Sequence, residues 1–407
     1  MMQPERAPMR HTEIAIVGGG LAGSMAAAML GRAGYQAILI DPHPVYPPDF
    51  RCEKLDGAQT AILQQSGLAD AVLRAATHDR ECWVVRRGRV VEKRPSDQHG
   101  IMYDTLVNAI RAEIPASTEF VTAKVTDLST SCDRQTVTLS NGEQISARLA
   151  VLANGLNIGL RHKLGMDRQI LSAGHSISIG FDMKPAGRAA FEFPALTYYY
   201  ERTRERMAYL TLFPIGPVMR ANLFGYRDLH DPWLRQVREQ PQATLFASMP
   251  GLSKLTGAFE VIGPVKIRPV DLTITTRHRQ AGIVVVGDAF ATSCPAAGTG
   301  ARKVLTDVER LCNVYIPRWL GTPGMGDDKI AAFYDDPVKR ACDRYSLDKA
   351  YSLRSFSTDT GLRWRAQRSA KFVLQWARGR LRQPSRPPSA PAIGPHGAAA
   401  AGSAVHP

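Results

Sequence analysis

The apolar and polar pattern takes shape from residue 13. Ile14-Ala15-Ile16-Val17 runs directly into Gly18-Gly19-Gly20-Leu21-Ala22-Gly23, and an alanine-rich stretch follows. A short apolar run stopped by glycine reads as a buried strand, and the periodic stretch 21–33 reads as a helix that Gly34 ends. A second strand, 37–40, closes on Asp41. Helical periodicity returns at 101–113. Residues 121–139 and 145–152 alternate as strands, with Asn141-Gly142 as the hairpin turn between two of them.

From 173 to 271 the texture changes. Segments such as His175-Ser176-Ile177-Ser178-Ile179, Leu196-Thr197-Tyr198-Tyr199-Tyr200 and Met207-Ala208-Tyr209-Leu210 alternate with period two. They predict an antiparallel sheet interrupted by one helix near 232–240. Another apolar run, Ile283-Val284-Val285-Val286, leads into Gly287-Asp288-Ala289, and after it the chain turns helical. Asp336-Pro337 supplies an N-cap and a first-turn proline. Residues 362–381 form a basic helix with Leu362, Ala366, Val373, Ala377 and Leu381 on one side. The Pro/Ala/Gly/Ser-rich segment 384–407 is expected to be disordered.

At 407 residues the chain can bury a large core, and 44% of it is apolar. No run approaches the roughly 18 apolar residues of a membrane span, and residues 1–12, expected to be flexible, lack the apolar segment of a secretory signal. Six scattered cysteines without a CxxC pair read as reduced thiols, so the expected location is cytoplasmic. The net charge of +14 gathers at one end. From residue 361 on there are eight Lys or Arg and no acidic residue, more than half of the total. With no RNP-like or zinc-finger pattern, a nucleic-acid partner is not expected.

The glycine loop meets the context that a dinucleotide requires: a strand before, a helix after, and an acidic residue ending the next strand. Gly18 permits the tight turn, Gly20 lets a pyrophosphate approach the helix start, and Gly23 seats the helix on the sheet. Leu21 and Ala22 belong to the same turn, and Asp41 is placed for a ribose. Asp288 ends a buried strand and suits the ribityl hydroxyls. Pro295 fixes the following loop, and Gly298-Thr299-Gly300 open a helix whose amides would face the flavin pyrimidine edge. Two glycine-rich loops far apart in sequence predict one long cofactor held at both ends, FAD.

On these residues the chain resembles the class A flavoprotein monooxygenases, the p-hydroxybenzoate hydroxylase-like family. Gly287-Asp288, Pro295, Gly298-Thr299-Gly300, Asp307 and Leu311 match its late fingerprint. Arg51, in Phe50-Arg51-Cys52-Glu53-Lys54-Leu55, falls where the family places an arginine against the flavin. The central segment Ala153-Asn154-Gly155, with Arg161 downstream, carries Asn where the family has Asp, and Tyr103 stands where many members have arginine. The resemblance implies an α/β fold with a Rossmann-like FAD-binding domain (13–172 and 276–320), an inserted antiparallel substrate sheet (173–275) and C-terminal helices (321–383). It implies FAD reduced by NAD(P)H, reaction with O2 through a C4a-hydroperoxide, and transfer of one oxygen atom to a small aromatic, isoprenoid or polyketide-like substrate. Asn154 leaves open whether a separate flavin reductase delivers the electrons.

No catalytic triad or metal site is expected, and no catalytic residue is assigned. His175, Tyr198, Tyr200 and Tyr209 lie on the sheet, where alternation turns about half of the residues away from a pocket. Other flavin oxidoreductases (a reductase, desaturase or halogenase) remain alternatives, although the Trp-x-Trp-x-Ile-Pro segment of halogenases is absent, Trp83 being followed by Val-Val-Arg. A redox regulator docking through its basic helix is a further one. The apolar side of that helix is expected to pack on the FAD domain, with an anionic membrane surface as the competing partner.

Overall fold

The computed structural model describes residues 9–381 except Cys52 and Glu201. The tail 384–407, and the N-terminus as far as residue 8, lie outside the described residues. Arg10 to Thr12, expected to be flexible, instead begin strand Arg10–Val17, because Arg10 is already in register with Ile145 across the sheet.

Two sheets organise the chain. In the first, strands Glu119–Thr122, Ala37–Asp41, Arg10–Val17 and Gln144–Leu152 lie side by side in parallel. Ile283–Val285 adds in parallel to the end of Gln144–Leu152, while Gln135–Leu139 and Val125–Ser129 continue the sheet antiparallel. Ala37–Asp41 is buried at every position, as a strand covered on both faces must be. Helix Leu21–Arg32 covers one face. Its C-cap is Ala33, and Gly34 follows with φ +84°, the left-handed position that the sequence assigned to it.

The second sheet runs Phe259–Thr276, Asp167–Pro185, Val218–Gly225, Met207–Ile215, Ala195–Tyr199, Glu81–Arg86, Arg89–Pro95. It differs from the expected insertion in two ways. Residues 81–95, upstream of the predicted segment, supply its last two strands, and Ala195–Tyr199 pairs with Glu81–Arg86 in parallel. Three short helices rather than one cover its outer face: Pro232–Glu239, Pro241–Ser248 and Ser253–Thr256. Pro241 explains the split, since it cannot continue the preceding helix but starts a new one. Trp233, Val237, Leu245 and Met249 from these helices bury against Ile177, Tyr198, Leu210 and Leu223 of the sheet.

Helix Gly300–Arg310 runs into a π-turn at Leu311–Tyr315, and Pro337–Thr358 packs alongside it, capped by Asp336 as predicted. The final helix Leu362–Leu381 corrects the expectation for its packing. It lies on strand Arg89–Pro95 of the second sheet, not on the nucleotide-binding domain. Gly379 allows the approach, because a Cβ there would stand 1.9 Å from Val91 O. The inward side carries Arg368, Phe372 and Gln375, whereas Leu362 and Leu381 are 81% and 86% exposed.

The tightest backbone constraint is at Gly23, where a Cβ would fall 1.8 Å from Gly18 O. Gly23→Ala is expected to cost about 3 kcal/mol, read as a lower midpoint in urea unfolding.

Candidate active site

The glycine loop makes a cradle with one open side. Gly18 takes φ +102°, and a Cβ there would meet Ala153 O at 2.7 Å, so the turn is pressed against the end of strand Gln144–Leu152. At Gly20 the nearest neighbours would be Tyr46 and Tyr103 at 3.9 and 4.0 Å, leaving room for a ligand. Neither Gly20 nor Thr299 caps its helix through a side chain, whereas Asp56 and Asp336 do cap theirs. The helices that begin at Leu21 and Gly300 therefore keep unclaimed amides at the positive end of their dipoles, and both begin on the cleft. Ala22 and Gly287 face each other, with a Cβ on Gly287 standing 3.5 Å from the Ala22 methyl, so the two loops meet.

Asp41 braces this loop. Its Oδ2 accepts from Gly19 N at 2.7 Å, and Arg111 Nη2 approaches Oδ1 at 3.3 Å while also donating to Gly19 O. The sequence reading missed Arg111, which ends a helix whose pattern named only its apolar face. Asp307 plays a similar part at the second loop. It is buried, accepts from Gly287 N at 3.3 Å and binds Lys339 Nζ at 2.8 Å.

Arg51 joins the two halves of the cleft. Its Nη1 donates to Asp288 Oδ2 at 2.7 Å, Asp49 binds its Nε, and its guanidinium lies 5.7 Å from the Tyr103 ring centre. Burial opposes the charge, but Asp288 beside it holds the guanidinium firmly protonated. Tyr103 is buried, and that burial pushes its phenol well up.

A cavity of about 610 Å³ gathers Leu21, Arg51, Asp288, Pro295, Gly298 and Gly300 from the predicted set. Gly18, Gly20, Ala22, Gly23, Asp41, Gly287, Asn154, Gly155 and Thr299 lie outside its lining. Thr299 turns its hydroxyl to Ser346 at 2.7 Å, and the Asn154 amide donates to Asn157 O at 3.1 Å. Gly155, at φ +58°, sits in a loop gripped by Arg161, which donates to Gly155 O and Asn157 O and, from its other nitrogen, to Thr275 Oγ1 at 2.8 Å and to Ala289 O. Burial drops that guanidinium to about 10. The central segment thus anchors the turn that presents Asp288.

The second sheet roofs the cavity with one face. Register sets Thr197 opposite Thr211, Thr211 opposite Asn222 and Asn222 opposite Gly180 in one row across four strands. Tyr199, Tyr209, Phe213 and Phe224 share that face and line the cavity, while Tyr198 points to the outer core. Of the four sheet residues singled out in the sequence, only Tyr209 reaches the cavity, and its hydroxyl donates to Ala296 O at 2.6 Å. Tyr200 instead donates to Phe356 O, and His175 is buried with its imidazole lowered to about 4 by desolvation. A Cβ at Gly180 would overlap Phe50 at 2.3 Å, so glycine there lets the Phe50 ring lie under the roof.

The least expected member of the site is Glu53, which is 2% exposed and on the cavity wall. Arg220 Nε lies 3.6 Å from its Oε2, and the Asn222 amide, oriented to donate, reaches the same oxygen at 3.0 Å. Among the described residues Oε1 has no hydrogen-bond partner. Burial outweighs Arg220 and raises the carboxyl to about 7. Its flanking motif was read for Arg51 alone, although a glutamate two residues from a cofactor contact was the available signal.

A glycine cradle and a Gly-Asp turn, joined under an antiparallel roof, define a flavoprotein of the oxygenase type. Residues 11–316 match the family described as FAD binding domain, and the chain belongs to it, among the class A flavin monooxygenases. It is 27% identical over 330 residues to 3-demethoxyubiquinol 3-hydroxylase of Escherichia coli, covering 75% of this chain and 80% of that one. It is 25% identical to a ubiquinone hydroxylase of Rhodospirillum rubrum, covering 73% and 70%. The fold is shared with p-nitrophenol 4-monooxygenase from Pseudomonas putida at a TM-score of 0.68 and 15% identity, covering 91% and 95%. The protein is an FAD-dependent oxidoreductase. The fit rests on the open side of Gly20 and the two uncapped helix starts, whose amides would hold phosphates at one and a polar ring edge at the other.

Asp288→Asn removes the charge that Arg51 pairs with. FAD affinity is expected to weaken about tenfold to a hundredfold, measured by flavin fluorescence on refilling the apoprotein.

Proposed function

We propose that the enzyme hydroxylates a phenolic or quinol-type ring, consuming O2, NAD(P)H and a proton and returning the hydroxylated ring, water and NAD(P)+. The observation that carries this reading is a carboxylate held near neutrality in an aromatic-walled cavity beside the cofactor cradle. The bound flavin supplies the electrons and activates the oxygen. The rest falls to the chain. Phe50, Phe213 and Phe224 bury the ring, Tyr199 and Tyr209 orient it, and the sheet excludes water. Glu53 Oε1 takes the phenolic proton, which makes the ring electron-rich where oxygen is added. Arg220 and Asn222 hold Oε2, which leaves Oε1 as the oxygen free to accept a proton. The names of the two hydroxylase relatives place quinone-type rings in those proteins, in keeping with this substrate class.

Visible spectra under anaerobic NADPH and NADH test the reductant: flavin bands that bleach mark a single-component enzyme, and bands that persist mark a separate reductase. Glu53 must be ionised to accept a proton, so turnover is expected to rise with pH and level off above about 7. Glu53→Gln is expected to lower kcat by about 10² to 10⁴ and to lose that limb, with flavin content unchanged; a pH profile of NADPH consumption with a phenol panel reads both.

The C-terminal helix supports a lipid surface as a partner. Val373, Leu374, Trp376 and Leu381 are 58%, 51%, 43% and 86% exposed, and Arg363, Arg378 and Arg380 stand exposed among them. A helix with apolar and cationic residues outward favours an anionic bilayer. The protein is expected to pellet with phosphatidylglycerol vesicles, and Leu374→Glu/Trp376→Glu to stay in the supernatant with its flavin retained.

A further inference from the structure

A second cavity, of about 890 Å³, lies between the C-terminal helix, the turn joining Glu81–Arg86 to Arg89–Pro95, and the connection after Ala195–Tyr199. Six arginines line it: Arg86 and Arg87 from the turn, Arg202 and Arg204 from the connection, and Arg365 and Arg368 from the helix. Its described lining holds no acidic residue. Among the described residues only Glu205 pairs with any of the six, 3.3 Å from Arg204 Nε, and Glu205 also binds Arg227 at 2.8 Å. In the sequence the connection carries two acidic residues, Glu201 and Glu205, against Arg202, Arg204 and Arg206, and residues after Leu381 carry none.

The backbone is shaped to present these charges. Arg87 adopts φ +51° and Gly88 φ +71°, a two-residue hairpin turn in which asparagine or glycine normally occupies the first position. An arginine held left-handed costs stability, and here it sets two consecutive guanidinium groups on one cavity. Arg87 lies over Phe372 at 4.7 Å and donates to Ser369 Oγ at 3.4 Å. Arg86 is 6% exposed, stacks on Tyr199 at 3.8 Å and binds Gln375, a neutral partner. Its Nη2 has no hydrogen-bond partner among the described residues. Burial lowers the Arg86 guanidinium, and burial with Arg86 and Lys349 nearby lowers the Lys371 ammonium on the same helix. Positive charge crowded into a partly dry cleft repels itself unless an anion is present.

We propose that this arginine-lined cavity is a second ligand site, one that binds the phosphate or pyrophosphate group of a small organic anion. Guanidinium forks match phosphate oxygens in pairs, and Tyr200 with Phe372 gives an attached ring an aromatic wall. The site is separate from the flavin cleft but adjoins it. Tyr199, on which Arg86 stacks, and Lys371 both line the active-site cavity. A ligand seated here stands beside the active-site cavity, where either the adenosine phosphates of a nicotinamide reductant or the phosphate of another metabolite can be held. The inference does not depend on the substrate proposed above.

The test is calorimetric titration of the flavin-loaded protein with inorganic pyrophosphate. Saturable one-site binding that weakens steeply with added NaCl is expected. Arg202 and Arg365 are exposed, and the double variant Arg202→Gln/Arg365→Gln should weaken binding about tenfold or more, with melting temperature and flavin absorbance unchanged as controls on folding. NADPH displacing pyrophosphate where NADH does not identifies the 2′-phosphate of the reductant as the source. If neither displaces it, the source is a different phosphorylated molecule. No saturable binding in the wild type, or equal binding in the folded double variant, overturns the proposal.

Discussion

The ion pair between Arg51 and Asp288 joins parts of the chain 237 residues apart. Each partner is delivered by a different device. Asp288 follows the parallel strand Ile283–Val285, held in place because Arg161 ties the central loop to Thr275 and Ala289. Arg51 sits in an irregular segment anchored largely by side chains: Asp49, the nearby Tyr103, the Phe50 ring beneath Gly180, and Arg268, which donates to Phe50 O. An exposed arginine pair would contribute little. This one is largely withdrawn from water and fixes the width of the cleft, so the two glycine loops and the roof share one geometry.

The roof illustrates how a sheet becomes a pocket. Period two divides each strand between an oily outer face, covered by three short helices, and an inner face of threonine, asparagine and aromatic residues. Glycine at position 180 interrupts the inner row where Phe50 must fit. The carboxylate of Glu53 then faces a surface that holds one of its oxygens and leaves the other without a partner. A buried carboxylate so incompletely satisfied costs stability, which is the usual signature of a group kept for chemistry rather than for folding.

What could be read from sequence was whatever local geometry demands of a residue type. Gly18, Gly23 and Gly34 were legible because a positive φ or a backbone contact excludes side chains there, and Asp336-Pro337 was legible because helix starts are chemically specific. Arg111 and Arg220 were not legible as partners, and Arg161 only as a downstream residue of the central segment, since their decisive contacts are to atoms 38 or more residues away in sequence. Tyr198 and Tyr209 could not be separated without register, which only the pairing of Tyr199 with Tyr209 supplies. The C-terminal helix was misplaced for a related reason. Its apolar residues suggested the buried side, but Gly379, the smallest residue on it, is where it touches the sheet.

Arg51 and Glu53 are two positions apart on the same short segment, one paired with Asp288 across the cleft and the other held by Arg220 and Asn222. A displacement of that segment moves both. Whatever seating the flavin against Arg51 does to the proton affinity of Glu53, protonation of Glu53 must do to flavin affinity by the same factor, because linkage between two equilibria is reciprocal. The segment that carries both residues thus ties an ion pair across the cleft and a buried carboxyl to one piece of backbone, and that backbone is the path by which either equilibrium would sense the other.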